Sequence, residues 1–182
     1  RSVVANNSKS TYEWFVSNPI NNYNISVQIG NYVAVQDTFI NGDKIHKMEH
    51  YVLDYNKELA SNYFTQSKEV IRFYEKYFGE YQWYEDGYKL IEVPYLGMEH
   101  QSAVTYGNGF SIYNGVRSKS WPMYGVIDPL IIHETGHEWF GNSVTASDPT
   151  HIWIHEGLQV YSEAIYFEDK FDSYEVGVHY LN

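Results

Sequence analysis

The chain has 182 residues, 43% apolar and 19% charged, with a net charge of −11 and no cysteine. That is long enough for one domain with a real core, and it limits any protein metal ligands to His, Asp and Glu. The acidic balance argues against nucleic acid, whose phosphates such a surface repels. No apolar run approaches the ~18 residues of a membrane helix. The opening at Arg1, without initiator Met or signal-like segment, leaves the compartment unknown.

Residues 11–53 alternate in patches, as in Ile25–Ile29 and Tyr32–Val35, which predicts strands, and Asn41-Gly42 is a hairpin turn signal. Residues 57–78 predict one long amphipathic helix, with Leu59, Tyr63, Val70, Tyr74 and Phe78 on one side and Gly79 as its stop. Residues 88–95 and 101–106 predict strands on either side of Gly97, and Gly107-Asn108-Gly109 reads as a plain turn. Ser118 to Pro122 reads as a loop. Asp128-Pro129 then supplies an N-cap and a proline at the first helical position, after an apolar lead-in that includes Val126 and Ile127, and Gly141 reads as that helix's stop. A further helix is expected from Ile152 to Phe167, where Trp153, Glu156, Val160, Glu163 and Phe167 recur at three- and four-residue steps.

His133-Glu134-Thr135-Gly136-His137 lies on the first of these two helices. Residues four apart share a helix face, so His133 and His137 can present two imidazoles to one metal ion. Glu134 is rotated by roughly 100° and stands beside the metal, where a carboxylate can take a proton from a metal-activated water. Catalytic zinc takes three protein ligands and keeps a fourth position open. Glu156, after eighteen intervening residues, is the expected third ligand. Glu163 shares its face and is a candidate to orient a ligand histidine, with an ordinary surface acid as the alternative. His151 and His155 lie close to Glu156 and read as structural or site-lining residues, though sequence alone does not exclude either as a ligand.

The run from His133 to Thr145, followed by Trp153 to Gly157, resembles the zinc signature of the aminopeptidase N family of metallopeptidases, the gluzincin aminopeptidases. Pro94 to His100 resembles that family's GxMEN exopeptidase motif, and the likeness spans roughly Tyr51 to Phe171. The resemblance implies an α+β, thermolysin-like zincin catalytic domain, strands followed by metal-bearing helices. It implies one Zn2+ per chain on His133, His137 and Glu156, with Glu134 as general base. Glu99 would bind the substrate's α-amino group, and Gly97 and Met98 would line the cleft and pair with the peptide backbone. The chain departs from the family pattern at Leu96, His100 and His155. Leu96 and His100 leave the details of substrate binding open.

The resemblance further implies an oxyanion-stabilising tyrosine well downstream. Only 26 residues follow Glu156, and Tyr161, Tyr166, Tyr174 and Tyr180 sit too close to match it. The expected organisation is therefore a piece of a longer protein: residues 1–40 as the tail of an N-terminal β domain with its handover strands, and 41–182 as a zinc-binding core truncated at its C-terminal end. The missing domains would be its partners, and the piece alone would be weakly active or inactive. The expected function of the parent is zinc-dependent removal of N-terminal residues from peptides with a free N-terminus. The rivals are a zinc endopeptidase or broader hydrolase, and a zinc- and peptide-binding module without turnover.

Overall fold

The computed structural model describes residues 2–6, 9–111 and 127–181. A short antiparallel hairpin comes first, β1 (Ser2–Asn6) with β2 (Lys9–Glu13), in a sheet of its own. The predicted strand at Ile25–Ile29 does not form: the stretch carries no ladder, and Ile25, Val27 and Ile29 are exposed. Alternation sets which way side chains point, but a strand also needs a partner, and the described residues supply none here.

The main sheet has five strands in the order β3-β4-β5-β7-β6. β3 (Tyr32–Asn41) and β4 (Lys44–Leu53) are an antiparallel hairpin paired over ten residues. Its tip is the expected Asn41-Gly42 turn, with Gly42 at a φ of +57°. The boundary expected after residue 40 thus falls at a hairpin tip, with both sides in one sheet. β5 (Leu90–Glu92) and β7 (Val104–Tyr106) continue the sheet in parallel, and β6 (Gly97–Met98) closes it antiparallel to β7 as an edge strand. The two strands expected at 88–95 and 101–106 are therefore shorter than predicted, with β6 between them.

The parallel step from β4 to β5 requires a crossover, and helices supply it. The single helix predicted over 57–78 is two: α1 (Lys57–Tyr63) and α2 (Gln66–Phe78). Polar side chains at the junction take the carbonyls that a continuous helix would use. Thr65 Oγ1 donates to Asn62 O at 2.6 Å, Gln66 Nε2 to Tyr63 O at 2.9 Å, and Ser67 Oγ to Phe64 O at 2.7 Å. Leu59, expected on the apolar side, is exposed. Gly79 does end α2, at a φ of +98°.

α3 (Pro129–Gly136), α4 (Trp153–Phe171) and α5 (Tyr174–Leu181) complete the chain. Asp128 caps α3 as expected, accepting from Leu130 N at 2.9 Å. It also accepts from the hydroxyls of Tyr63 (2.8 Å) and Tyr106 (2.7 Å) and the amide of Asn108 (3.0 Å), so one buried carboxylate joins α1, β7 and α3. α3 ends five residues before the predicted stop at Gly141. Beyond Gly136 the chain continues in tighter turns, with Glu138 N on Thr135 O and Trp139 N on Gly136 O. Val126 and the predicted loop Ser118 to Pro122 lie outside the described residues. The core packs Val52, Leu90 and Val104 of the sheet against Val70, Ile71 and Tyr74 of α2 and Ile131 and Ile132 of α3. Gly136 permits this closeness: a Cβ there would stand 2.1 Å from both Gln159 Oε1 and Tyr74 Oη.

Candidate active site

Two ligand candidates stand at the end of α3 and one at the start of α4. His133 lies in the last turn of α3, and His137 follows it at the C-cap, still with helical dihedrals. One turn of rise brings their Nε2 atoms to 3.2 Å. Glu156, in the first turn of α4, places Oε2 3.6 Å from His133 Nε2 and Oε1 3.6 Å from His137 Nε2. A tetrahedral ion bound at ~2.0–2.2 Å needs ligand atoms about 3.3–3.6 Å apart, so this donor set fits zinc. His155, next to Glu156, points elsewhere. It is buried, and its Nε2 accepts from Ala146 N at 2.9 Å. His151 is exposed at the end of a single turn before α4.

The far ring nitrogens decide which lone pairs remain free. His133 Nδ1 bonds Glu163 Oε1 at 2.7 Å, and His137 Nδ1 donates to the Phe140 carbonyl at 2.9 Å. Both imidazoles therefore turn Nε2 inward as the acceptor a metal requires. Glu163 is buried, and its other oxygen accepts from the Tyr180 hydroxyl of α5. The surface-acid alternative for Glu163 is thus set aside by its burial.

Glu134 faces the opposite wall. A Cβ on Gly97 would lie 2.6 Å from Glu134 Oε1, so the bare backbone of β6 is what lets the carboxylate stand there. Carboxylate oxygens of Glu99 and Glu134 and a ring nitrogen of His137 all lie within 4.8 Å of one another. Met98, half-buried beside Gly97 on the edge strand, completes this wall. Burial pushes the Glu134 carboxyl up to about 8, the charges of Glu99 and Glu156 add to this, and His133 opposes it. Burial pulls the His133 imidazole down, but the hydrogen bond and charge of Glu163 outweigh it and raise the group to about 9. Burial, then the neighbouring His133, lowers His137. Four carboxylates converging on two imidazoles, some of them buried and Glu156 exposed, make a site that attracts a cation. Three candidate ligands with a buried carboxylate beside them are the set of groups that metal-assisted hydrolysis calls for.

Three residues at the site carry no local signal in the sequence. Tyr180 holds Glu163, the Phe140 carbonyl holds His137, and Asn142 donates to the Glu99 carbonyl at 2.9 Å. Tyr180 and Asn142 act across fold contacts, which spacing along one element does not reveal, and Phe140 acts through its backbone carbonyl, which carries no side-chain signal.

The fold and site define a zincin-type metallohydrolase core. Comparison with known proteins narrows this: residues 63–182 match the peptidase family M1 domain, and the chain belongs to that family. Human endoplasmic reticulum aminopeptidase 2 is 32% identical over 136 residues, which is 68% of this chain and 14% of that protein. Rat glutamyl aminopeptidase (Rattus norvegicus) is 28% identical over 149 residues, 80% of this chain and 15% of its own length. Among solved structures, an M1 zinc metallopeptidase from Deinococcus radiodurans superposes with a TM-score of 0.69 at 17% identity, covering 93% of this chain and 36% of that one. A two-domain M1 zinc metallopeptidase mutant bound to L-tryptophan gives 0.74 at 17% identity, covering 95% and 37%. The fold expected from the sequence, a partial zincin catalytic domain, is therefore the one observed. The chain spans about one seventh of the length of the curated relatives quoted and about a third of these structures. Among the described residues, no helix is long and apolar enough to cross a membrane.

Proposed function

We propose that the protein carrying this chain is a zinc-dependent aminopeptidase. His133, His137 and Glu156 would hold one zinc ion, which supplies Lewis acidity to the scissile carbonyl and to the attacking water. Glu134 takes the proton of that water and passes it to the leaving amine. Glu163 and Phe140 fix the two imidazoles. A peptide lies along the edge of β6 that no described strand covers, at Gly97 and Met98, pairing its backbone as an added strand. Glu99 pairs with the substrate's α-ammonium and so sets the register one residue from the N-terminus.

The observation that carries this reading is the closeness of Glu99 to Glu134 and His137, all within 4.8 Å. A carboxylate that near the base blocks the cleft for a chain continuing past the N-terminal residue, unless an ammonium neutralises it there. The names of the relatives, aminopeptidases, agree.

The test uses the longest polypeptide that carries these residues, loaded with zinc. One peptide is offered with a free N-terminus and again acetylated. Cleavage of the free form alone supports the reading. Equal cleavage of both would keep the hydrolase and discard the exopeptidase, and cleavage of neither would favour a binding module.

A further inference from the structure

The stretch between β2 and β3 forms no strand, yet it is tied at many points to the site end of the molecule. Ser17 N donates to Asp86 at 2.8 Å, Gln101 Nε2 donates to the Pro19 carbonyl at 3.0 Å, and Asn21 Nδ2 donates to Thr145 at 3.0 Å. The Tyr23 ring stacks on His155, with centroids 6.2 Å apart. Further on, Gln28 Nε2 donates to the Tyr95 hydroxyl at 3.0 Å, just before the Gly97 strand.

Asn24 lies at the centre of these ties and is only 3% exposed. Its side-chain amide donates to Asn142 Oδ1 at 2.7 Å, and the amide of Asn142 donates to the Glu99 carbonyl at 2.9 Å. Asn142 is in turn fastened to the metal side, since its backbone N donates to the His137 carbonyl at 2.9 Å. A side-chain amide is a two-fold rotor whose ends differ only in donating and accepting. Asn24 supplies the donor that faces Asn142 Oδ1, and this leaves the Asn142 NH2 for Glu99.

We infer that Asn24 is a positioning residue for amine recognition: through Asn142 it fixes the backbone of Glu99 relative to the histidine-bearing helix. This rests on the aminopeptidase reading, and it adds a residue 75 positions before Glu99 to the apparatus that selects a free N-terminus. Asn24 touches neither the reacting atoms nor the ligand set. Its effect therefore belongs in how well the ammonium is held, while the rate of bond cleavage is left to Glu134 and the metal.

The test compares Asn24→Ala with the unaltered full-length protein, and adds Asn24→Asp, which keeps the size but removes the donor facing Asn142. Zinc content, kcat and KM on a free-amine peptide, and the affinity for a free amino acid as competitive inhibitor are measured. KM and the inhibition constant should both rise about tenfold, the effect of one hydrogen bond. Zinc content should hold, and kcat should change by less than about twofold. Adding Asn24→Ala to Asn142→Ala should raise KM no further, because the two act along one relay. An unchanged KM, or a parallel loss of zinc and kcat at constant KM, overturns the inference and leaves the aminopeptidase reading standing. If the unaltered protein cleaves free and acetylated peptides alike, that reading falls and this inference with it, before any variant is made.

Discussion

Glu134 and Glu163 are both buried acids beside His133, and their surroundings separate their roles. Glu134 meets the open side against Gly97, while Glu163 is locked between an imidazole and the Tyr180 hydroxyl. Replacing Glu134 by Ala should leave zinc bound, as equilibrium dialysis would read, and lower kcat by about 10²–10⁴-fold. Loss of the metal in that variant would mean that Glu134 is a ligand. For Glu163→Gln the expectation is reversed. Zinc affinity should fall by roughly 10–100-fold while kcat of the fully loaded enzyme changes less, and a competition titration with a chelator separates the two. The two histidines, Glu134 and Glu156 were legible because they lie on the repeats of two helices. Glu163 was legible as a candidate for the same reason. Asn24 was not, since its bond to Asn142 spans 118 positions and follows no period.

Among the elements, α3 was the most legible and the crossover the least. Asp128-Pro129 marks the start of α3 by local chemistry, and the cap is observed. What the sequence concealed is that the same carboxylate also gathers Tyr63, Tyr106 and Asn108. Asp128→Ala should therefore cost far more than the ~1 kcal/mol of an ordinary cap, about 3–5 kcal/mol, because Tyr63, Tyr106 and Asn108 each lose an acceptor as well. Urea unfolding would measure this, and a loss near the value for a lone cap would show that the tyrosine contacts contribute nothing. The break between α1 and α2 escaped the periodicity because apolar spacing continues through it. Only the side-chain bonds of Thr65, Gln66 and Ser67 mark the interruption. The failed strand at Ile25–Ile29 has the opposite cause, a pattern present without a partner.

At the scale of the whole molecule, stability should depend on pH through a group remote from the site. His50 of β4 is almost wholly buried, accepts from Leu90 N at 2.9 Å, and is pulled down by burial to about 4. An unfolded histidine takes its proton near pH ~6.5, so between about 6.5 and 4 the unfolded chain binds the proton that the folded chain refuses. Stability from this group is complete above that window and is lost as pH falls through it, by roughly 3 kcal/mol in all. A His50→Asn variant, whose amide oxygen can still accept from Leu90, should lose less stability than the unaltered protein between pH 7 and 5. Equal losses in chemical denaturation would assign the acid sensitivity elsewhere.

The placement of the three ligand candidates has a polymer consequence. His137 ends one helix, Glu156 begins the next, and eighteen residues run between them. An ion shared by both ends is a cross-link, and it removes from the unfolded ensemble the freedom of a ring of that length. By the closed-loop relation the effect is about 3 kcal/mol, so metal loading would act on this region as a reversible staple.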